Sequence, residues 1–98
     1  MIVEIAQIQA QEGQGDAMQE GLTRARSVIS RADGYLGSAF QRGIENPNSF
    51  ILYIRWRDLA AHTEGFRKGP LFPEWRREWA HLMAGTPVVS HFEIFVGE

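Results

Sequence analysis

Residues 50–56 read FILYIRW, and this stretch decides the fold. Its β-branched and aromatic side chains favour a strand, and the side chains of a strand alternate between its two faces. One face would carry Phe50, Leu52, Ile54 and Trp56. The other face would still carry two large side chains, those of Ile51 and Tyr53. A strand that is apolar on both faces predicts a sheet that is covered on both sides.

Three more strands are predicted along the chain. The first covers 1–11, the second 35–45 and the last 88–96, while the quoted stretch belongs to a third strand over 50–57. The second and third strands are separated only by the turn at 46–49, with the sequence NPNS. Because such residues favour tight turns, these two strands are expected to form a hairpin.

A helix is predicted between the first and second strands. Asp16 and Gln19 have the spacing of a capping box, which marks a helix start. Apolar residues then recur at helical intervals, as in Met18 and Leu22. Gly34 is expected to end this helix because glycine readily adopts the left-handed conformation found there.

A second helical region is predicted between the third and last strands. Asp58 can cap its start, Pro73 suits the first turn of its second piece, and Gly85 and Pro87 are expected to end it. The resulting order, β-α-β-β-α-β, predicts an α+β fold of the ferredoxin-like split βαβ type with a four-stranded antiparallel sheet.

The last predicted strand is also apolar on both faces, with Val88 and Phe92 opposite Val89 and His91. Two helices can cover only one face of the sheet. Leaving three or four large side chains exposed on the other face would forgo roughly 5 to 10 kcal/mol, at about 2 kcal/mol each. The sequence therefore predicts a homodimer that buries the second face, in a dimeric α/β barrel.

Composition narrows the function classes. The 98 residues predict one domain over 1–98, and 44% of them are hydrophobic. The formal charge is −2 with no basic run, so no nucleic-acid partner is expected. The chain has no cysteine, which excludes disulfides and thiolate chemistry. The apolar start lacks a basic segment and is too short to span a bilayer, so we expect no membrane partner and a cytoplasmic location.

Two familiar kinds of site are not expected. Gly13 and Gly15 lie where a dinucleotide-binding loop would begin, but Met18 occupies the position of the third glycine, so we interpret the segment as a turn. The three histidines, at 62, 81 and 91, lack the paired spacing of a helical metal site. No metal ligands are therefore assigned.

Two histidines remain as candidates for chemistry. His62 is predicted on the same helical face as Leu59 and Phe66 and should point inwards, either as a structural group or as a catalytic one. His91 lies between apolar neighbours on the last strand and would face either the dimer interface or a pocket.

The tryptophans and arginines also divide into core, surface and candidate groups. Trp75 and Trp79 are spaced as core-facing aromatics of an amphipathic helix. The arginines interpreted as solvated surface are Arg31, Arg67 and Arg77. Those close to aromatic residues, and so able to stack or to bind an anionic oxygen, are Arg55, Arg57 and Arg76.

Taken together, these residues resemble the antibiotic biosynthesis monooxygenase (ABM) domain family of small dimeric ferredoxin-like proteins. The similarity includes a tryptophan that ends the third strand, Trp56, a short helix with a Phe-Arg pair, Phe66-Arg67, and a histidine followed by an aromatic residue in the last strand, His91-Phe92. It spans nearly the whole chain, including the glycine-rich segment 34–37 that begins the second strand.

One branch of that family converts polycyclic phenols to quinones without a cofactor, and the resemblance carries over residue by residue. The strand-ending tryptophan matches Trp56, a tyrosine six residues later matches the position of His62, and a helical arginine matches Arg76. An asparagine four residues before the tryptophan is replaced by Leu52. The haem-degrading branch matches less well, because Ala6 stands near the position of its first-strand asparagine, and no haem ligation is expected.

The resemblance implies a cofactor-independent monooxygenase, an oxidoreductase that acts on a phenol, an anthrone-like compound or a quinol. His62 would act as base or proton relay and Arg76 would stabilise an anionic oxygen, with His91 as a second candidate base. The side chains expected to contact the aromatic substrate are Leu52, Trp56, Phe66, Trp75 and His91. The alternative is a non-catalytic dimeric barrel that binds a hydrophobic small molecule, because a fold does not by itself imply chemistry.

Overall fold

The computed structural model describes residues 1–97. Its strands are β1 (Ile2–Ala10), β2 (Tyr35–Arg42), β3 (Ser49–Trp56) and β4 (Met83–Phe92). Its helical segments are α1 (Gly15–Ile29), a π-helical turn (Ala61–Phe66), α2 (Leu71–Arg77) and a 3₁₀ turn (Ala80–Leu82). The sheet is antiparallel with the order β2-β3-β1-β4. The predicted four-stranded ferredoxin-like α+β fold is confirmed.

Strand β3 lies between β1 and β2 and contributes the middle of the core. Its alternate residues, Phe50, Leu52, Ile54 and Trp56, are all buried beneath the helices. Leu52 is opposite Ala6 of β1 and Phe40 of β2, so these residues continue the same apolar face across the sheet. The sequence alternation of FILYIRW therefore predicts the face that the helices cover.

Helix α1 begins without the predicted capping box. No side chain caps its first turn; instead, the Nη1 of Arg42 donates to Asp16 Oδ1 at 2.9 Å and to Gln19 Oε1 at 3.0 Å. Arg42, the last residue of β2, therefore binds both of the side chains that were expected to cap the helix. Helix α1 also ends before Gly34, at Ile29. Gly34, with φ of +87°, instead forms the turn into β2.

The second helical region begins as predicted, but its first turn is π-helical and not α-helical. The Oδ1 of Asp58 accepts the backbone N–H of Ala61 at 2.8 Å, and the N–H of Arg67 donates to the carbonyl of His62, five residues earlier, at 2.9 Å. His62 and Phe66 are buried, but Leu59 is half exposed. The prediction for Leu59 is wrong because a π-helical turn does not keep the residue spacing of an α-helix.

Strand β4 begins five residues earlier than the prediction and ends at Phe92, so Gly85 and Pro87 lie inside it and do not end a helix. This is compatible with strand structure because β4 is an edge strand, where proline is tolerated. The register between β1 and β4 shifts between Gln7 and Gln9, at the irregularity where Gly85 has φ of +71°. The apolar residues that follow Phe92 lie beyond the strand and are exposed.

The outer face of the sheet carries large side chains that the chain itself does not cover. Val88 and Phe92 of β4 are 58% and 54% exposed, and Leu36 of β2 is 48% exposed. Ile51 and Tyr53 of β3 are partly exposed on the same face. The prediction of two apolar faces is therefore correct, and only one of them is buried within a single chain.

The helices meet closely at one end of the molecule. A Cβ on Gly21 of α1 would collide with the backbone carbonyl of Glu78, which directly follows α2. Two solvent-exposed ion pairs also connect this region: Arg24 of α1 to Glu78 at 2.9 Å, and Arg31, just after α1, to Glu74 of α2 at 2.7 Å. Between α2, the π-helical turn and the sheet, a hollow remains.

No helix within residues 1–97 has the length and apolar character needed to cross a membrane.

Candidate active site

The hollow is a cavity of about 340 Å³ between the inner face of the sheet and the helical segments. This volume is at the lower end of the range for small-molecule sites, about 300 to 1,000 Å³. Most of its wall is apolar, including Ala6, Leu52, Phe66, Phe72, Trp75 and Val89. Its ionisable side chains are Glu4, His62, Arg67 and Arg76. The arrangement suits a compact apolar ligand that carries a polar group.

The structure brings the seven candidate residues from the sequence into one region. The five that line the cavity are Leu52, His62, Phe66, Trp75 and Arg76. Trp56 is not part of the lining and lies against His62, with ring centroids 5.2 Å apart and an interplanar angle of 15°. His91 is also outside the lining and contacts His62, with ring centroids 5.0 Å apart.

A chain of polar contacts runs through this region. The Nε1 of Trp56 donates to Glu4 Oε1 at 2.9 Å, and the Nε2 of His62 lies 3.3 Å from the same oxygen. The Nδ1 of His62 is 2.8 Å from the Nε2 of His91. Among residues 1–97, no three histidine, cysteine or carboxylate side chains are placed to hold a metal ion. The contacts therefore form a continuous polar path with His62 at its centre, in which Trp56–Glu4 and His62–His91 are hydrogen bonds and Glu4–His62 is a 3.3 Å contact.

Glu4 is the central residue that sequence reasoning missed. It lies on the inner face of β1, opposite Ile54 of β3 and His91 of β4, and is 5% exposed. A signal was present, because Glu4 shares its strand face with Ala6 and Ile8 and is the polar exception there. Glutamate is rarely buried without a partner, so its position on an apolar face indicates a site.

Burial favours the uncharged forms of these groups. It raises the pKa of the Glu4 carboxyl group, against smaller lowering effects of the Trp56 hydrogen bond and of Arg67. It lowers the pKa of His62 to about 4, with Arg67 and His91 adding to the effect. Burial and Arg67 also lower the pKa of His91. The directions of these shifts favour a neutral Glu4 beside a neutral His62 and not an ion pair, despite the 3.3 Å that separates Glu4 Oε1 from His62 Nε2.

Two arginines place positive charge at the cavity. Arg76 of α2 lies over the rings of Phe72 and Trp79, with its guanidinium carbon 5.9 and 5.4 Å from their centroids. Within residues 1–97, it forms none of the salt bridges found in the structure. Arg67 was interpreted as surface; it is exposed but also lines the cavity. Both cations can meet an anionic oxygen in the cavity.

One buried donor at the cavity has no protein partner. Trp79 lines the cavity and is 3% exposed, and its Nε1 is the single enclosed side-chain nitrogen or oxygen without a hydrogen bond among residues 1–97. An indole N–H in this state needs water or a ligand oxygen to replace the bond it lacks. The polar groups of the cavity wall therefore include the indole N–H of Trp79 as well as the carboxyl group of Glu4 and the two arginine cations.

Comparison with known proteins identifies the family. Residues 1–78 match the family model described as antibiotic biosynthesis monooxygenase. The chain is 28% identical to YczJ of Bacillus subtilis over 95% of this chain and 98% of that protein.

Solved structures agree with that match. The chain is similar to a putative antibiotic biosynthesis monooxygenase from Bordetella bronchiseptica, with 34% identity, a TM-score of 0.92 and 97% coverage of both chains. It has the fold of SnoaB, a cofactor-independent oxygenase from Streptomyces nogalater, with a TM-score of 0.83, 16% identity and coverage of 98% of this chain and 94% of that one. The family model covers the strands and helices that form most of the cavity. The chain belongs to the antibiotic biosynthesis monooxygenase family.

Proposed function

We propose that this protein is a monooxygenase that oxidises an electron-rich aromatic compound, without metal or flavin, in the cavity between the helices and the sheet. The observation that carries the proposal is the cavity itself, an apolar space of about 340 Å³ with a buried histidine in its wall. Family membership supports the reaction class, and the fold shared with SnoaB is in keeping with it.

The reaction suits a phenol whose para carbon carries hydrogen. One phenol and one O₂ give one quinone and one water, and the substrate supplies all four electrons that reduce the dioxygen. No external reductant is needed. The protein must hold a flat ring, accept its hydroxyl proton and stabilise the phenolate, which transfers an electron to O₂ more readily than the phenol does. An enclosed apolar cavity also keeps water away from the reactive intermediates.

The proposed roles follow from the positions of the side chains. Leu52, Phe66 and Trp75 contact the ring of the substrate. His62 acts as base or proton relay, with His91 as the second base, and Trp56 holds His62 in place by stacking. Arg76 stabilises the anionic oxygen, because its charge has no carboxylate partner among residues 1–97.

The test is oxygen uptake with a panel of hydroquinones and polycyclic phenols across pH. With a competent substrate, His62→Ala and Arg76→Ala should each reduce turnover on the order of 100-fold, a typical acid-base or electrostatic contribution. Arg77→Ala is the matched control, because Arg77 is exposed and lies outside the cavity lining. Unchanged turnover in both cavity variants would refute the assignment of roles.

The same panel separates catalysis from simple binding. Aromatic compounds that bind in the cavity without any oxygen uptake would favour the non-catalytic binding module. Quinone formation with a matching loss of dissolved oxygen would favour the enzyme.

We also propose that two copies pack through the outer faces of their sheets. The exposure of Val88, Phe92 and Leu36 on one continuous face supports this assembly. Removing such large apolar side chains from water contributes about 2 kcal/mol each, which favours association. The resulting homodimer would be the dimeric α/β barrel that the sequence predicts.

A further inference from the structure

Glu4 presents one carboxyl oxygen to the cavity. Both of its contacts, with Trp56 Nε1 at 2.9 Å and with His62 Nε2 at 3.3 Å, are made by Oε1. Oε2 takes part in neither contact. It is also absent from the enclosed side-chain atoms of residues 1–97 that lack a hydrogen-bond partner, so it is not sealed inside the protein. Because Glu4 is part of the cavity wall, Oε2 is the oxygen that a bound ligand can reach.

Two imidazole rings lead from Oε1 towards the surface. His62 is 3% exposed and contacts Glu4 through Nε2 and His91 through Nδ1. His91 is partly exposed near the end of β4. A neutral imidazole accepts a hydrogen bond at one nitrogen and donates one from the other. The three side chains therefore form a continuous path from the cavity to the edge of the sheet.

We propose that Glu4 is the catalytic residue that removes the hydroxyl proton of the aromatic substrate, and that His62 and His91 carry a proton from Glu4 to the surface. This inference rests on the proposed monooxygenase function and names the residue at which its first step occurs. It assigns His62 the role of relay and not that of the primary base.

The proton transfers balance along this path. At rest, Glu4 carries a proton on Oε1 that is donated to His62 Nε2, and His62 Nδ1–H donates to His91 Nε2. The substrate hydroxyl gives its proton to Oε2 while the Oε1 proton moves to His62 and the His62 Nδ1 proton moves to His91. The substrate becomes a phenolate and His91 an imidazolium. When the O–O bond of the substrate peroxide breaks and the distal oxygen leaves as water, one proton of that water comes from the para carbon, which becomes the second carbonyl, and the reverse transfers supply the other.

The charges around the path keep its resting state neutral and favour the phenolate. Burial keeps the resting Glu4 and His62 neutral, as the direction of both pKa shifts indicates. Arg67, at the end of the π-helical turn, and Arg76, from α2, line the same cavity and favour the phenolate. Burial and Arg67 lower the pKa of His91, so the imidazolium there forms only transiently and readily releases its proton. From β3, Trp56 faces the path with an uncharged indole.

The first experiment measures turnover and binding of 1-naphthol, a phenol with a free para carbon. Glu4→Gln should reduce kcat on the order of 100-fold, because an amide can donate to His62 but cannot pass a proton. The dissociation constant for 1-naphthol and the thermal stability should stay close to wild type, which a merely structural role would not give. His91→Gln should reduce kcat less, because water can replace the outer ring. Glu12→Gln and His81→Gln, both at exposed positions, are the controls.

The second experiment needs no turnover and reads the histidine tautomers by nitrogen NMR of the whole protein near neutral pH. A proton on Nδ1 of His62, with a coupling across the bond to His91 Nε2, supports the path. A proton on Nε2 of His62 beside an ionised Glu4 overturns it. If Glu4→Gln does not fold, His91→Gln and the NMR result provide the test.

The outcomes separate this inference from the proposed function. Oxygen uptake that is equal in wild type and Glu4→Gln overturns the role of Glu4 while the monooxygenase stands. If no phenol of the panel is oxidised by wild type, the proposed function fails, and the catalytic role of Glu4 falls with it. The tautomers then show whether the hydrogen-bonded path itself exists.

Discussion

The two faces of this sheet are made by the same four strands and are both apolar, but they differ in what covers them and in what they contain. Helices and a cavity cover the inner face, which also holds the buried Glu4 and its contact with His62. The outer face exposes Val88 and Phe92. Apolar alternation thus indicates that a face is buried, whereas a buried ionisable group on that face indicates chemistry.

The largest expected effect is on association through the outer face of the sheet. Phe92→Glu would place a carboxylate in the proposed dimer interface, and we expect the dimer dissociation constant to rise by about 100-fold or more, because an unpaired charge is costly to bury. Analytical ultracentrifugation across protein concentrations measures this change. The inner face should be unaffected, so 1-naphthol binding should persist.

Ile44→Glu is the matched control for that experiment. Ile44 is 91% exposed and lies in the loop between β2 and β3, outside the sheet faces. Its substitution should leave association unchanged. A wild-type protein that sediments as a monomer at micromolar concentration would contradict the dimer.

The second prediction concerns the inner face and pH. The pKa of His62 is about 4 in the folded chain, below the value of about 6.5 for an unfolded chain, so the unfolded state binds more protons between these values. His62 therefore reduces the free energy of unfolding as pH falls from 7 to 5, on the order of 1 to 2 kcal/mol. Glu4, whose pKa is raised, acts in the opposite direction. The comparison of wild type with His62→Gln isolates the histidine.

Chemical denaturation at pH 7 and pH 5 measures this difference. His62→Gln should lose less stability on acidification than wild type does. His81→Gln should behave like wild type, because His81 is exposed. Equal pH dependence in wild type and His62→Gln would show that His62 is not held neutral.

The smallest expected effect distinguishes two buried tryptophans. Trp56→Phe and Trp79→Phe remove similar volumes, but the first also removes the donor to Glu4, whereas Trp79 Nε1 has no partner among residues 1–97. Trp56→Phe should therefore cost about 1 kcal/mol more in the free energy of unfolding. Denaturation of both variants tests this, and equal losses would mean that the two indoles have equivalent partners.

The parts of the fold that depend on local pattern could be predicted from the sequence. The alternation of β3 identified the inner face, and the turn at 46–49 identified the hairpin with β2. The capping box failed because α1 begins at Gly15, ahead of Asp16, and the side chains of Asp16 and Gln19 bind Arg42, which is distant in sequence. Such competition between distant residues leaves no local signal.

The candidate site was predicted only in part, because some of its contacts also join residues that are distant in sequence. Candidate residues in β3 and in the helical region after it could be recognised, and five of the seven candidates line the cavity. Glu4 was missed because its contacts with His62 and His91 join the first strand to residues much later in the chain. The π-helical turn, which sets the direction of His62, also has no clear sequence signature.

The close approach of Gly21 to the carbonyl of Glu78 affects how the cavity of this family member could change in size. Because main chain meets main chain there, the distance between α1 and the end of α2 does not depend on the size of any side chain. Trimming Ile29 or Phe72 in the cavity wall should enlarge the available space without collapse of the helices onto it. The cavity can then change in shape by single substitutions while the scaffold stays constant.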